Sequence, residues 1–506
     1  MKKTPLSKQD STRYLQTLVA LLMTVGVFSV AWEVIALHTQ RSSFIAAFDA
    51  LSPHVSSDDL LHLAYLQTGC RIENNTVFPW IYAAPGHEAD LPVPRAQTST
   101  SLLHRGDPRL VDELRQCPDV DIYMPSAARD PAGCSTVAGA LKFLQSRLLP
   151  DWVFDVELYD IVSRQKTSYF ELCPDTPMLF LAPEHVLILT EHASWPTTKP
   201  VYLMAPGLPL NTTPSPPPEQ YTNSVLDRTD LVLCRTKRCD DELKQFLGRR
   251  GKDTSSVKTP RVIYTAHVSI DPTNYVQRLG NGKIQERNMT DLSSPRFAHT
   301  SWNINSQTTQ DVIKCWKSHV NELPEAPLLD VYVLKKFRGN KPAGGERLYK
   351  QFPASENAKI QTLDPLKFAR KVSNSSFFIC PTANDDCLDL ARASGGVIVT
   401  VDAYPINELI SGPSEGILLA TEQASQAESD DSLLLPPPSA PYRRSDLCDA
   451  ILKARTLTSL NDRLSLGTQA RQHFNEDAKF FLRRMLELRA LARHEHQFQG
   501  QNPRTL

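Results

Sequence analysis

Residues 377–410, FFICPTANDDCLDLARASGGVIVTVDAYPINELI, constrain the fold more than any other stretch of the chain. A short apolar strand, Phe377 to Cys380, runs into Pro381 and an acidic loop. A helix follows to about Arg392, then a break at Ser394-Gly395-Gly396 and a second apolar strand, Val397 to Val401, ending in Asp402. Strand, loop, helix, strand at this length is the pattern of a parallel βαβ crossover. In doubly wound sheets, ligands sit outside the carboxyl ends of such strands. The loops at Pro381 to Asp386 and at Asp402 to Asn407 therefore belong on one face. The same unit also serves as plain scaffolding, so the pattern alone does not make a site.

Residues from about Tyr14 to Leu37 are mostly apolar, long enough to cross a bilayer, which needs roughly 20 residues. Glu33 lies near the end, within reach of headgroups. Lys2, Lys3, Lys8 and Arg13 precede the span and favour a cytoplasmic N-terminus. A cleaved signal peptide is the competing reading, but the core is longer than a usual one and no small-x-small site follows. The expectation is a retained single-pass type II anchor, with everything after residue 38 luminal.

The ten cysteines, an even count, permit disulfides in an oxidising compartment, with pairing not readable from sequence. Cys380, inside an apolar strand, is expected to be packed rather than bonded. Sequons at Asn74, Asn211, Asn288 and Asn374 are glycosylation candidates if luminal. No CxxC or Cys/His cluster suggests zinc, so no metal site is expected.

With 55 basic and 56 acidic residues there is no charge excess of the kind a nucleic-acid binder shows. Neither GxGxxG nor a phosphate-loop lysine motif occurs. The length beyond the anchor suits two cores.

From Asp119 onward, β and α signals alternate, which predicts a parallel sheet. VDIYMP, MLFLAP, KPVYLMAP, DLVLCRT and VIYTAH read as strands, and Val137 to Leu148 as a helix with Cys134-Ser135 near its start. A polar, broken stretch at 269–295 separates a second run. There FAHTSW and LLDVYVL read as strands and Thr309 to Val320 as a helix. A final helical region, Asp446 to about His494, is expected to break near Ser459 and Gly467. The organisation expected is a tail over 1–13, an anchor over 14–37, a stem over 38–115, two α/β domains over 116–290 and 295–455, and closing helices over 456–495.

Two such halves behind an anchor resemble the group 1, family 4 type, glycosyltransferases of GT-B architecture, over roughly 115–490. CPT with ARASGGVIVTVDAYPINELI is similar to the donor-side motif region of that family. FAHTSWNINSQTTQDVIKCW resembles its first donor-domain strand, loop and helix, and HFNEDAKFFLRRMLEL its closing helix. CPDVDIYMPSA and LLPDWVFDVELYDI are similar to acceptor-side segments. The resemblance implies an α/β fold of two Rossmann-like domains facing a cleft. It also implies retaining, hexosyltransferase-type transfer from a nucleotide-sugar co-substrate to a glycan, protein or lipid, with no resident cofactor. The implied setting is a Golgi or endoplasmic reticulum membrane.

The family commonly carries two glutamates eight positions apart. Aligned on ARASGG, the second position holds Leu390. Asp385, Asp386 and Asp389 are the nearby acids that would substitute, although Asp385 and Asp386 also suit a helix's first turn. The early donor loop, Ser301-Trp302-Asn303-Ile304-Asn305, offers Asn303 but no cation, and Lys335, Lys336 and Arg338 stand after the VYVL strand. Asp402 and Glu408 are the other donor-binding candidates; Asp402 would otherwise cap the next helix and Glu408 would sit at its first turn without a ligand. His299 reads as a packed strand histidine, and His267 and His192 carry no spacing that marks them. The alternative to an enzyme is a non-catalytic, transferase-like binding or scaffold protein of the same membranes. An α/β hydrolase is the third reading and is disfavoured.

Overall fold

Short apolar runs bounded by turn residues become strands buried on both faces, as a parallel sheet between helix layers requires. The computed structural model describes residues 66, 69–80, 102–129, 131–160, 164–205, 218–253, 259–267, 296–301, 305–320, 327–334, 347–352, 361–363, 368, 371–372, 374–382, 387–419, 421, 442–456 and 459–501. The anchor expected at 14–37 lies outside them, as do Asn303, Lys335, Lys336, Arg338, Asp385, Asp386 and the sequons at Asn211 and Asn288. Among the described residues no helix is long and apolar enough to cross a membrane. The chain divides into two compact units, Val55–Met485 and Met1–His54 with Leu486–Leu506. Both sheets belong to the first.

The first sheet holds β1 (Phe78–Pro79), β2 (Asp121–Tyr123), β3 (Arg147–Leu149), β6 (Met178–Phe180), β7 (Val201–Ala205), β8 (Leu231–Cys234) and β9 (Arg261–Tyr264), in the order β1-β3-β2-β6-β7-β8-β9. All neighbours run parallel except β1 with β3. A separate hairpin joins β4 (Leu158–Asp160) to β5 (Gln165–Thr167). The second sheet holds β10 (Arg296–Ser301), β11 (Leu328–Leu334), β12 (Arg347–Phe352), β13 (Gln361–Leu363), β14 (Phe377–Cys380), β15 (Val397–Val401) and β16 (Gly416–Leu419). Its order is β13-β12-β11-β10-β14-β15-β16, with β12 and β13 antiparallel and the rest parallel. Both are Rossmann-like. Strand order in the second reverses between β10 and β14, the place where such sheets open a crevice.

The βαβ unit forms as expected: β14 and β15 pair in parallel, Phe377 opposite Val397 through Cys380 opposite Thr400. Every residue of both strands is buried. Phe297 of β10 stacks on Phe377 at 4.4 Å.

Two helix expectations need correction. The helix α1 spans Pro131–Phe143, not Val137 to Leu148. Gln145 enters the left-handed region at φ 50°, and Ser146 N donates back to Leu141 O at 3.1 Å. Those bonds close the last turn early and free Arg147–Leu149 for β3. The terminal helices are α7 (Arg444–Thr456) and α8 (Leu460–Gln501), so the break falls beside Ser459 but not at Gly467. Gly467 is retained mid-helix for contact: a Cβ there would lie 2.0 Å from the carbonyl oxygen of Gly395.

All ten cysteines pair, Cys70–Cys134, Cys117–Cys173, Cys234–Cys239, Cys315–Cys448 and Cys380–Cys387. Cys380 is thus bonded, against expectation. Its strand ends beside the first turn of the helix that follows, which brings Cys387 within reach. The loops closed span from 5 to 133 residues.

Candidate functional site

Where the carboxyl ends of the two sheets meet, polar side chains are buried together. Arg235 follows the last residue of β8 directly. His267 follows β9, one residue after Ala266, whose φ of 63° is a left-handed conformation that alanine adopts at a cost. Asp389 and Arg392 sit one turn apart on α5 (Cys387–Ser394), the helix leaving β14. All four are at most 8% exposed, and Arg392 is fully buried.

His267 bridges the two halves. Its Nε2 lies 2.8 Å from Asp389 Oδ2, and its Nδ1 meets an Arg235 guanidinium nitrogen. A guanidinium only donates, so Nδ1 accepts and Nε2–H donates to the carboxylate. The ring is the neutral tautomer. Burial pushes its proton affinity down against the pull of Asp389. For Asp389, burial raises the carboxyl, but His267, with Arg392 and Arg235 beyond, brings it below the ordinary carboxylate range. Burial lowers the Arg235 guanidinium to about 10, so it stays a cation at neutral pH.

Arg392 reaches Asp477 of α8 and lies over the Phe474 ring at 5.7 Å. His473 Nδ1 then meets Glu415 Oε2 at 3.1 Å. Even so, Asp389 Oδ1 and Arg392 Nε and Nη1 are buried with no hydrogen-bond partner. Two other buried ionic clusters differ. Asp121 takes Arg147 Nε at 2.8 Å and Tyr169 OH at 2.5 Å. Asp330 takes Arg296 Nε, Tyr349 OH and Gln351 Nε2, each at 2.8 Å. Both have all carboxylate oxygens bonded, as structural pairs do. At the junction, acceptor and donor capacity is left over; single unpartnered groups such as Arg129 Nη2 and Asp240 Oδ1 occur elsewhere, but here both kinds share one cluster.

A clasp lies beside it. Glu408, on the short α6 (Ile406–Leu409), accepts from the backbone N–H of Lys237 at 2.5 Å and of Arg238 at 2.9 Å. These open α3 (Lys237–Asp253) of the other half, where a carboxylate is favoured by the helix dipole. Thr236 Oγ1 and Tyr404 OH are 2.8 Å apart, and Arg238 covers the Tyr404 ring at 4.8 Å. A pocket of about 390 Å³ opens there, lined by Lys237, Asp402, Asn407, Glu408, Ser411 and Gly412.

Of the donor-side candidates, Asp389 enters the buried cluster, while Asp402 and Glu408 line the pocket. Asp402 is exposed at the end of β15, and α6 starts after Pro405 with no side-chain cap. The sequon asparagines Asn74 and Asn374 are exposed. His299 is a packed histidine: Nδ1 lies 2.7 Å from Ile379 O and Nε2 3.1 Å from Thr309 Oγ1 of α4 (Gln307–Cys315). Sequence reasoning passed over Arg235, His267 and Arg392. Arg235 and His267 each follow a recognisable strand at its carboxyl end, and that position was the one signal available.

Burial holds His299 at about 4 and pushes His185 and His267 down as well. An unfolded histidine titrates near 6.5. Between those values the unfolded chain binds protons that the native one does not, so stability is full above about pH 6.5 and falls on acidification toward about 4. The melting temperature should drop from pH 7 to pH 5, and by less in His299→Gln. An identical drop in that variant would contradict a buried neutral His299.

No family model matches the chain, and no curated protein matches it. Solved structures do. The trehalose 6-phosphate synthase of Burkholderia multivorans aligns at TM-score 0.41 and 11% identity, over 75% of this chain and 79% of that one. The pneumococcal O-GlcNAc transferase GtfA, in complex with UDP and GlcNAc, aligns at 0.36 and 11%, over 64% and 56%. The sucrose-phosphate synthase of Thermosynechococcus elongatus aligns at 0.35 and 9%, over 64% and 74%. The architecture stated above follows from the strands themselves and does not depend on these likenesses.

Proposed function

We propose that the chain is a glycosyltransferase of GT-B architecture, moving a sugar from a nucleotide-sugar to a hydroxyl of a glycan, protein or lipid. The observation that carries this is the buried Arg235–His267–Asp389–Arg392 cluster where the carboxyl ends of two Rossmann-like sheets meet, with Nε and Nη1 of Arg392 left unpartnered. Transfer from such a donor needs cations at the departing diphosphate and a water-poor junction. Arg392 and Arg235 supply the charge, and Asp389, oriented by His267, supplies a carboxylate for a hydroxyl. Retention of configuration follows the resemblance given above.

The proposal includes an anchor over 14–37, domains over 116–290 and 295–455, and a luminal position in the Golgi or endoplasmic reticulum. Pairing of all ten cysteines supports an oxidising compartment. A second reading, a non-catalytic binding protein, is favoured by one observation: Glu408 is engaged by the α3 backbone rather than turned to a ligand.

Calorimetric titration of the full chain in detergent with UDP, GDP and their sugar conjugates separates the two. The expected result is saturable binding of one nucleotide, weakened about tenfold or more by Arg235→Ala, since a charge-assisted bond of roughly 1.5–3 kcal/mol is removed. Absence of binding by folded protein favours the second reading.

A further inference from the structure

The structure assigns the two short-loop disulfides, Cys234–Cys239 and Cys380–Cys387, a positioning role: they hold the two ends of the Arg235–His267–Asp389 line. It rests on that cluster being the working site, as proposed above. Each bond joins the last residue of a strand to the first turn of the next helix, β8 to α3 in one half and β14 to α5 in the other. Arg235 follows Cys234 directly, and Asp389 stands two residues after Cys387. Cys234 reaches His267 as well. Its carbonyl accepts from Thr265 N at 2.8 Å and Thr265 Oγ1 at 3.1 Å, fixing the chain two residues before the imidazole.

Loop length argues against a mainly stabilising purpose. A disulfide's effect on the unfolded chain grows with the loop it closes. These two close 5 and 7 residues, whereas the other three close 56, 64 and 133. What a short loop does constrain is local geometry: the direction in which the residue beside it leaves the strand. Arg235 and Asp389 approach one imidazole from opposite halves. A line of two hydrogen bonds, one spanning 32 residues of sequence and the other 122, needs both ends fixed to sub-ångström placement.

The test reads His267 without any ligand, so it stands apart from the nucleotide titration. The full chain, as Cys234→Ser/Cys239→Ser, Cys380→Ser/Cys387→Ser and, as a comparison, Cys315→Ala/Cys448→Ala, is treated with diethyl pyrocarbonate. Carbethoxylation of each histidine is followed by mass spectrometry. His299, fully buried and bonded at both ring nitrogens, reports whether the second half stays folded. Each short-loop variant should leave His299 protected and raise the His267 rate by about tenfold or more, as local opening does. The comparison variant should lower the melting temperature most and leave His267 protected. His267 staying as protected as in the native chain would overturn the assignment. So would parallel exposure of His267 and His299, because the bonds would then be general supports. If a nucleotide binds, the short-loop variants should also raise its Kd, and the comparison variant should not.

Discussion

Asp389→Ala is expected to lower the unfolding free energy by about 3–5 kcal/mol, the cost of leaving buried charge without its partner. Among the described residues, Asp389 is the anion that faces His267 and, by charge, Arg235 and Arg392. Arg392 keeps Asp477. Arg235 keeps the neutral imidazole as a partner, and the imidazole loses the acceptor for its Nε2–H. Asp389→Asn separates the causes. An amide oxygen still accepts from His267, so the hydrogen bond survives and the charge does not. Its stability loss should be the smaller, while any nucleotide binding should suffer in both. Chemical unfolding of the three proteins, with titration of the bound nucleotide, checks this. Equal stability of wild type and Asp389→Ala would mean that the guanidinium groups are already solvated and that the cluster is open in solution.

Gly467→Ala should cost about 3 kcal/mol, at the upper end of overpacking penalties. The new Cβ would lie 2.0 Å from Gly395 O and 2.9 Å from Gly395 C, both backbone atoms. Gly395 itself stands at φ 71° in the turn between α5 and β15, which leaves it little room to yield. Helix α8 must move instead, and Phe474 and Asp477 move with it, loosening their hold on Arg392. Gly248→Ala in α3 is the matched control. Nothing lies within 4 Å of its added Cβ, so it should stabilise by about 0.5–1 kcal/mol through helix propensity alone. Thermal unfolding of both variants decides it. A neutral Gly467→Ala would show that α8 does not press on that turn.

Strands that are continuous apolar runs were readable from residue order alone. β6, β7, β8, β14 and β15 are each legible because a strand buried on both faces has no polar alternation to hide it. Residue order also determined the sense of the crossover, since a helix-length connection forces parallel pairing. β12, with the mixed sequence RLYKQF, carries no such run, and its antiparallel place beyond β11 belongs to the fold alone. Helix ends and glycines went astray for a related reason. Sequence sees Gly467 as a breaker, but a glycine is equally a place for another backbone to approach, and only packing distinguishes the two. The site was half legible. Asp389 was found through the motif region, yet its partner His267 is 122 residues away and carries no spacing of its own. Glu408 was legible as an acid after a strand, but not as the carboxylate that closes the first turn of α3 in the other half. Periodicity and burial are local properties of a chain, and they reach as far as one element and its neighbour. Which side chains share a junction depends on how two separately formed sheets meet, and that contact is made only in three dimensions.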